Sequence, residues 1–397
     1  MWTAALGGAL ALVIATQTVQ TRACDPQSTP SPSPAPSPAP APSPTPAPTP
    51  GPAAEVFTTA DGVRFRAESI VTNLVVPWSM SFAPDGRLFV TERPGRVRII
   101  DAAIRQSEVA LTLDDVFAQS EAGLLGMALD PEFSQNRWVY LYYTARVGSG
   151  AVNRLVRYRE AGTRLGERAV LLDNVPAAGI HDGGRVRFGP DGLIYITAGD
   201  AANTRLPQDL SSLAGKILRI NRDGTTPRGN PFSGPIYSYG HRNPQGMDWH
   251  PVTGDLWASE HGNTGNDEIN VIDAGANYGW PTIEGSAQMS GMRTPLMTYS
   301  PAIAPSGASF YRGTLFPRFA NNLFVATLRG NHLLRLIPEG TNRRVASQER
   351  LLDGRFGRLR DVTVGPDGAL YVLTNNQDGR GSLTSGDDRI LRLVPVT

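Results

Sequence analysis

Three short segments of the chain combine ionisable or amide side chains with glycine more densely than a simple turn requires. They span residues 179–185, 240–246 and 259–270. Glycine lets a backbone and a ligand approach each other closely. Histidine, arginine and carboxylate groups can respectively move a proton, stabilise an anionic oxygen and ligate a hard cation. These segments are therefore the first candidates for catalysis or ligand binding.

His181 lies in the first segment with glycines on both sides of it. Imidazole titrates near neutral pH and often accepts the proton of a reacting hydroxyl group. Asp200 follows a predicted strand at 194–198 and could fix the tautomer of that imidazole. The sequence leaves two interpretations open: His181 is a general base oriented by Asp200, or it is a histidine hydrogen-bonded within a turn.

The second and third segments suggest charge stabilisation and metal binding. Arg242 and Asn243 place a fixed positive charge beside an amide donor, which suits an oxygen that becomes anionic during a reaction. A salt bridge to a neighbouring element is the alternative role for Arg242. The segment 260–270 offers hard oxygen ligands but lacks the spacing of an EF-hand, so a calcium site and a solvated acidic turn are both open.

A third feature is a pair of arginines near the C-terminus. Arg358 and Arg360 share one face of an extended segment and could clamp carboxylates, with Arg329 as a third member. Ordinary solvated arginines are the alternative.

The elements that must position these residues are strands joined by a recurring turn. An apolar residue, a turn rich in Asp, Asn and Gly, and an alternating apolar strand recur six times, at 82–86, 129–136, 188–192, 250–254, 319–322 and 364–368. Such turns supply the positive φ that hairpins need, and a spacing of roughly 50 to 60 residues is the blade size of a propeller. The chain is therefore predicted to be an all-β, six-bladed β-propeller over residues 55–397, with its ligand site where loops from several blades meet.

The N-terminal part predicts export. Residues 1–24 form a short apolar signal segment, and residues 25–54 alternate proline with Ser, Ala and Thr as an extended linker. Cys24 follows a small residue, and lipidation of this cysteine and plain cleavage nearby are both open. The domain is accordingly expected in the periplasm or tethered to a membrane through Cys24.

The net charge and the cysteine count bear on the possible partners and on how the fold is stabilised. A formal net charge of +1 gives no electrostatic case for nucleic acid as a partner. A single cysteine excludes an internal disulfide, so the core and bound ions or cofactor must provide stability.

Four ordered phrases, at 123–126, 240–246, 267–270 and 277–281, resemble the soluble glucose/sorbosone dehydrogenase family and are most similar to its bacterial aldose sugar dehydrogenases. The resemblance implies that a sugar is oxidised at its C1 hydroxyl to the lactone, with hydride transfer to pyrroloquinoline quinone (PQQ) and electrons then passing to an external acceptor. It also implies that His181 is the general base, that Asp200 orients it and that Arg242 contributes to catalysis.

The resemblance further implies a set of cofactor and metal contacts. The cofactor contacts are Glu121, Arg242, Asn243, His261, Arg329, Arg358 and Arg360. The metal contacts are carbonyls of Gly262 and Asn263 for a cofactor-bound calcium, and Glu268 and Tyr278 for a structural calcium. Two residues depart from the family pattern: Glu121 stands where relatives often carry glutamine beside the substrate, and Arg329 replaces a lysine.

Two other functions fit the same architecture. One is a calcium-dependent lactone or ester hydrolase, and the other is a non-catalytic carbohydrate-binding propeller. A hydrolase would have no use for cofactor-clamping arginines. The sequence leaves the sugar, the electron acceptor and the oligomeric state open.

Overall fold

The computed structural model describes residues 55–101 and 106–396. Nearly all regular structure within these ranges is β-strand, with one short α-helix, α1 (Phe133–Asn136), and one short 3-10 helix (Pro317–Phe319). No helix within them is long and apolar enough to cross a membrane. The predicted signal segment, 1–24, and linker, 25–54, lie outside the described residues.

The strands form six antiparallel sheets that follow one another along the chain, called blades 1 to 6 below. The first three blades each contain four consecutive strands. Blade 1 contains β3 (Pro77–Phe82), β4 (Leu88–Glu92), β5 (Arg96–Asp101) and β6 (Gln106–Thr112). Blade 2 contains β7 (Leu124–Leu129), β8 (Trp138–Val147), β9 (Gly150–Ala161) and β10 (Arg164–Pro176). Blade 3 contains β11 (Val186–Phe188), β12 (Ile194–Ala198), β13 (Lys216–Ile220) and β14 (Ile236–Tyr239).

Blades 4 and 5 repeat this order, and blade 6 joins the two ends of the described chain. Blade 4 contains β15 (Pro244–Trp249), β16 (Leu256–Glu260), β17 (Asp267–Ile272) and β18 (Met297–Tyr299). Blade 5 contains β19 (Pro305–Phe310), β20 (Leu323–Thr327), β21 (Leu333–Pro338) and β22 (Val345–Leu351). Blade 6 contains β23 (Leu359–Val364), β24 (Leu370–Thr374) and β25 (Ile390–Pro395), followed in the sheet by β2 (Arg64–Val71) and β1 (Val56–Thr58).

The pairing of β2 with β25 closes the ring. Its register runs from Phe65 opposite Pro395 to Val71 opposite Ile390. Because the N-terminal strand completes the last blade, the two ends of the domain hold each other, and no blade is left with an open neighbour. The predicted six-bladed β-propeller is confirmed.

The predicted turns occupy equivalent places in all six blades. Each phrase joins the first strand of its blade to the second. Gly86 and Gly368, for example, adopt φ values of 88° and 78°, which L side chains rarely adopt. The turn chemistry therefore identified the blades correctly.

The core is divided among the contacts between blades. The described residues contain six clusters of buried apolar side chains, and each cluster joins neighbouring blades, with Phe89 and Tyr143 in one and Trp257 and Phe310 in another. Burying one such side chain stabilises a fold by roughly 1.5–3 kcal/mol. The ring is thus held by packing between neighbours, which leaves the loops at its ends free for function.

Antiparallel pairing decides which loops meet. The start of every first strand and the end of every second strand lie at the same end of the ring, here called the loop face. The segments 113–123, 177–185, 240–243, 300–304 and 352–358 precede first strands there, and the segments 93–95, 199–215, 261–266, 328–332 and 375–389 follow second strands. All of the predicted catalytic and cofactor residues belong to these segments or to the strand residues beside them.

Candidate active site

His181 and Asp200 form a hydrogen-bonded pair at the loop face. Nδ1 of His181 lies 2.8 Å from Oδ1 of Asp200. The Asp200 carboxylate is almost fully buried, with 1% exposure, whereas the imidazole is 14% exposed. A carboxylate can only accept, so Nδ1 carries the proton and Nε2 is left as the basic nitrogen. The pair has the geometry of a general base with an orienting carboxylate.

The backbone of His181 is held in an unusual conformation. Its φ is 62°, in the left-handed region that a non-glycine residue seldom adopts. The carbonyl of His181 accepts a hydrogen bond from Ala201, and Gly199 lies so close that an added Cβ would be 1.9 Å from that carbonyl oxygen. Gly199 is therefore required for the imidazole to face Asp200.

Trp280 contacts the pair of His181 and Asp200, and Arg242 packs on Trp280. The indole N–H of Trp280 donates to Oδ2 of Asp200 at 2.9 Å, and the guanidinium of Arg242 lies over the same indole, 5.3 Å from the ring centroid. Arg242 also donates to the carbonyl of His261 at 3.3 Å, and its backbone N–H donates to Glu260. It makes no salt bridge with a described residue, so its positive charge remains unpaired.

A cavity of about 320 Å³ opens beside these residues. It is lined by five arginines, two carboxylates and four other residues: Arg93, Arg329, Arg358, Arg360, Arg380, Glu121, Asp378, Gln245, His261, Ala304 and Leu328. The positive charges outnumber the negative ones, which suits an anionic ligand. Each of blades 1, 4, 5 and 6 contributes residues, as the topology requires.

Arg358 and Arg360 differ in their partners. Arg358 contacts the carboxylate of Asp378 through two nitrogens, at 2.7 and 3.0 Å. Arg360 donates only to neutral groups, Oε1 of Gln245 at 2.8 Å and Oδ1 of Asn375 at 3.1 Å, and burial lowers its pKa to about 9. Arg360 is thus the arginine of this pair whose charge awaits a partner.

Arg329 and Arg93 provide further unpaired charge. Arg329 is exposed at the cavity wall, and its guanidinium has no hydrogen-bond partner among the described residues. Arg93 is half-buried, makes no salt bridge within the described ranges, and has its pKa lowered by burial. Both could turn toward an acidic ligand without breaking an existing ion pair.

Glu121 connects the cavity to His181. Its Oε1 accepts from Arg380 at 2.7 Å, and its Oε2 accepts from the backbone N–H of His181 at 3.3 Å. Burial alone would raise the pKa of Glu121, but the positive charges of His261 and Arg380 prevail and lower it to about 2. Burial in turn lowers the pKa of His261, and Arg380 is the permanently charged group that bonds directly to Glu121.

Three of the four predicted calcium ligands lie on one loop or the strand that follows it, and Tyr278 lies beyond that strand in the segment 273–296. The loop is 261–266, shorter than expected, because Asp267 and Glu268 belong to β17. Asp267 accepts hydrogen bonds from the backbone N–H groups of Gly262, Ile303 and Ala304, so its carboxylate ties the loop to the segment that precedes β19. The acidic segment 260–270 is therefore part loop and part strand, and the carboxylate of Asp267 has a structural role in it.

Gly262 and Asn263 lie at the turn of that loop, with Asn263 exposed. Gly262, Glu268 and Tyr278 border one small gap in the structure. Burial and the nearby Glu260 raise the pKa of Glu268 to about 8, which is the signature of crowded carboxylates. The hydroxyl of Tyr278 is bonded to the backbone of Val271 and of Asp273, so only its backbone carbonyl could reach an ion.

The buried donors at this end fit a flat, oxygen-rich cofactor. Arg242 Nε, Asn243 Nδ2, His261 Nε2 and Arg360 Nε are buried without a hydrogen-bond partner. Each buried polar group left in this state costs roughly 1–3 kcal/mol. A cofactor with quinone and carboxylate oxygens could accept hydrogen bonds from such groups, so the residues present fit PQQ. A cluster of three or more acidic, histidine or cysteine side chains that could hold a metal ion is absent from the described residues.

Sequence reasoning missed several residues of the cavity wall. Arg93, Asp378 and Arg380 line the cavity, and Trp280 bonds to Asp200, yet none was predicted. Arg93, Asp378 and Arg380 follow second strands at the loop face, and this position is the signal that could have found them. Trp280 instead lies in the segment 273–296 between β17 and β18. The predicted residues Glu121, His261, Arg329, Arg358 and Arg360 do line the cavity, whereas His181, Asp200, Arg242 and Asn243 lie beside it.

Comparison with known proteins identifies the family of this chain. The sequence pattern of the family described as Glucose / Sorbosone dehydrogenase matches residues 74–391. Aldose sugar dehydrogenase YliI of Escherichia coli (strain K12) is 34% identical over 328 residues, covering 76% of this chain and 88% of that protein. Quinoprotein glucose dehydrogenase B of Acinetobacter calcoaceticus is 28% identical over 431 residues, covering 83% of this chain and 90% of that protein.

A solved structure gives the same result for the fold. The PQQ-bound form of aldose sugar dehydrogenase from Streptomyces coelicolor matches with a TM-score of 0.76 and 37% identity, covering 84% of this chain and 98% of that one. Family pattern, sequence identity and structure thus agree over nearly the whole propeller. The chain therefore belongs to the glucose/sorbosone dehydrogenase family and is a sugar dehydrogenase.

Proposed function

We propose that this protein is a PQQ-dependent, calcium-assisted aldose sugar dehydrogenase in which His181 is the general base. The observation that carries the proposal is the His181 and Asp200 pair, 2.8 Å apart, beside a cavity whose arginines outnumber its carboxylates. The PQQ-bound relative from Streptomyces coelicolor and the quinoprotein from Acinetobacter calcoaceticus support the choice of cofactor.

The proposed reaction converts the C1 hydroxyl of the sugar to a lactone carbonyl. When bound, the quinone would accept the hydride from C1 and calcium would polarise it. Nε2 of His181 would accept the hydroxyl proton, because Nδ1 is already bonded to Asp200. The buried Asp200 carboxylate would then stabilise the imidazolium that forms, and the indole of Trp280 would hold that carboxylate in place.

The arginines of the cavity would hold the cofactor. Arg360 and Arg329 have no carboxylate partner and would pair with the acidic groups of PQQ, while Arg358 would share its charge between Asp378 and the cofactor. Arg242 and Asn243 would contact the quinone oxygens through their unpaired N–H groups. Together they would fix the ring against the imidazole.

Calcium would be held by backbone carbonyls of Gly262 and Asn263, with Glu268 and Tyr278 contributing to a second, structural ion. The raised pKa of Glu268 supports the second site, because a cation would relieve repulsion from Glu260. Carbonyl and carboxylate oxygens are the ligands that calcium prefers.

The test is dye reduction by the purified domain with a panel of aldoses, with and without added PQQ and calcium. We expect turnover only when both are present. His181→Ala should lower kcat by about two to four orders of magnitude with quinone affinity retained. His250→Ala is the matched control, because His250 lies in the hairpin turn of blade 4, away from the loop face.

The same assay separates the other two functions. A lactone or ester hydrolase would act without quinone, and a binding module would retain sugar without turning it over. Quinone-independent hydrolysis, or full dye reduction by the His181→Ala variant, would contradict the proposal.

We also propose that the enzyme is exported and works in the periplasm, either free or anchored through Cys24. Mass spectrometry of the mature N-terminus would show a diacylglyceryl group on Cys24 in the anchored case and an unmodified cleaved end in the free case.

A further inference from the structure

Lys216 is the only lysine in the chain, and it lies at the start of β13. Its side chain is fully buried. The ammonium donates to three backbone carbonyls, those of Leu206 at 2.9 Å, Pro207 at 3.0 Å and Ala214 at 2.7 Å. It makes no salt bridge within the described ranges. A buried cation whose three protons all point at carbonyls is therefore part of the structure of the loop that supplies them.

These carbonyls belong to the segment 199–215, which has no regular secondary structure. The segment begins beside Asp200 and returns to β13, where Gly215 donates to the carbonyl of Gly199 at 2.7 Å. A segment that lacks the backbone hydrogen bonds of a sheet needs other donors for its carbonyl groups. The ammonium fills this role much as a metal ion with oxygen ligands would.

The same segment is bonded to the other loops of the active site. The carbonyl of Pro207 also accepts from the N–H of Gly240, two residues before Arg242. Gln208 donates to the carbonyl of Trp280 at 2.8 Å and exchanges hydrogen bonds with Asn277. Trp280 in turn donates to Asp200. One ammonium thus lies behind the loops that carry Asp200, Arg242 and Trp280.

We propose that Lys216 is a positioning residue for the active site: its ammonium fixes the 199–215 segment, and through it the carboxylate that orients His181. The residue touches neither substrate nor cofactor. The arginines that line the cavity lie at blades 1, 5 and 6, whereas Lys216 lies on blade 3. Its loss should therefore alter catalysis and leave cofactor affinity nearly unchanged. The proposal rests on the proposed dehydrogenase function for its kinetic part only.

A purely space-filling role would predict a different outcome. An unbranched apolar side chain of similar length would then replace the lysine without effect. Lys216→Met makes that comparison directly, because it keeps the length of the side chain and removes the three N–H donors. Leu218→Met is the matched control, since Leu218 is also buried on β13 but packs in the apolar cluster between blades 2 and 3.

The experiment has two readouts, kinetic and spectroscopic. For Lys216→Met we expect kcat for dye reduction to fall at least tenfold while the Kd for PQQ changes less than threefold. The indole N–H signal of Trp280 in the 15N-labelled apoprotein, assigned with Trp280→Phe, should move, because its hydrogen bond to Asp200 would be altered. Leu218→Met should change neither readout.

The proposal requires both effects, so a wild-type kcat or an unmoved Trp280 signal in a folded Lys216→Met protein would overturn it. If Lys216→Met does not fold, Lys216→Gln takes its place with the same two readouts, because it removes the ammonium and retains a polar side chain. If the wild-type protein itself reduces no dye, the dehydrogenase function fails, and the indole signal still decides whether Lys216 positions the loop.

Discussion

Replacing Asp200 by Asn would test whether the buried carboxylate orients His181 and stabilises its charged form. The carboxylate of Asp200 accepts three hydrogen bonds, from the imidazole of His181, the backbone of Ala202 and the indole of Trp280. An asparagine has one oxygen for these three donors. Whichever way the amide turns, at least one N–H group faces another donor, or His181 must move its own proton to Nε2.

The magnitude follows from the distance and the burial of the pair. Unit charges about 4 Å apart attract each other by about 4 kcal/mol at an effective dielectric constant of about 20. Little of this is screened, because the Asp200 carboxylate is 1% exposed and the imidazole 14%. At about 1.4 kcal/mol per factor of ten, losing the carboxylate charge as the imidazolium forms should lower kcat about a thousandfold.

The assay is the steady-state rate of dye reduction by enzyme loaded with PQQ and calcium, at saturating aldose. Quinone affinity should be measured by spectral titration and should stay within about threefold, because Asp200 does not line the cofactor cavity. Asp191→Asn is the matched control in the same blade. Asp191 bonds to Tyr195 and Arg219 in a hairpin turn outside the site, so this variant should retain the wild-type rate.

A kcat within fivefold of the wild type for Asp200→Asn would refute the reasoning, since neither the tautomer nor the charge of the pair would then matter. A loss of rate that is matched by an equal loss in Asp191→Asn would show that the change acts through the stability of blade 3. Only a selective loss in Asp200→Asn is consistent with the orienting role.

Three further outcomes are expected. Arg360→Met should weaken PQQ binding by about ten- to a hundredfold in spectral titration, and Arg358→Met by less, because Asp378 already shares the charge of Arg358; equal effects would contradict this order. Burial raises the pKa of Asp182 to about 7 from its ordinary 3.8. Between these two pH values the folded state holds a proton that the unfolded state has lost, so the folded state becomes less stable as the pH rises. Denaturant titrations should show that Asp182→Asn removes this slope. The free energy of unfolding of the variant, relative to that of the wild type, should rise by up to about 4 kcal/mol between pH 4 and pH 8. Parallel curves of unfolding free energy against pH for the two proteins would contradict this prediction. Removing calcium with a chelator should abolish dye reduction reversibly, and circular dichroism should show the propeller still folded, because the packing of apolar side chains between blades stabilises the ring.

The blades were predictable because each carries its own local signal. A turn such as 82–86 needs glycine or asparagine at fixed places, and the strand after it alternates with period two. The closure of the ring had no such signal. The strand Arg64–Val71 resembles any other strand, and its pairing with Ile390–Pro395 joins residues more than 300 positions apart, so only the folded ring shows it.

The site was predictable only where unusual residues cluster along the chain. His181 stands among glycines and was identified for that reason. Arg93 and Arg380 each stand alone in ordinary surroundings, and the phrase 277–281 gives no local sign that Trp280 bonds to Asp200. The importance of these residues comes from loops that meet in space. The sequence pattern could not reveal that Asp267 accepts hydrogen bonds from backbone N–H groups, because its partners at 303 and 304 lie just before another blade.

The balance of charge in the cavity explains why its arginines point to a cofactor. Glu121 pairs with Arg380 and Asp378 pairs with Arg358, whereas Arg360 has only neutral partners. Stability alone would favour a carboxylate opposite such a buried guanidinium, since an unpaired buried charge is costly. The packing between blades can offset the free-energy cost of this unpaired charge, because that packing is separate from the loop face. A cation kept unpaired in a rigid ring is thus available for an acidic ligand, and the general base beside it determines where that ligand must react.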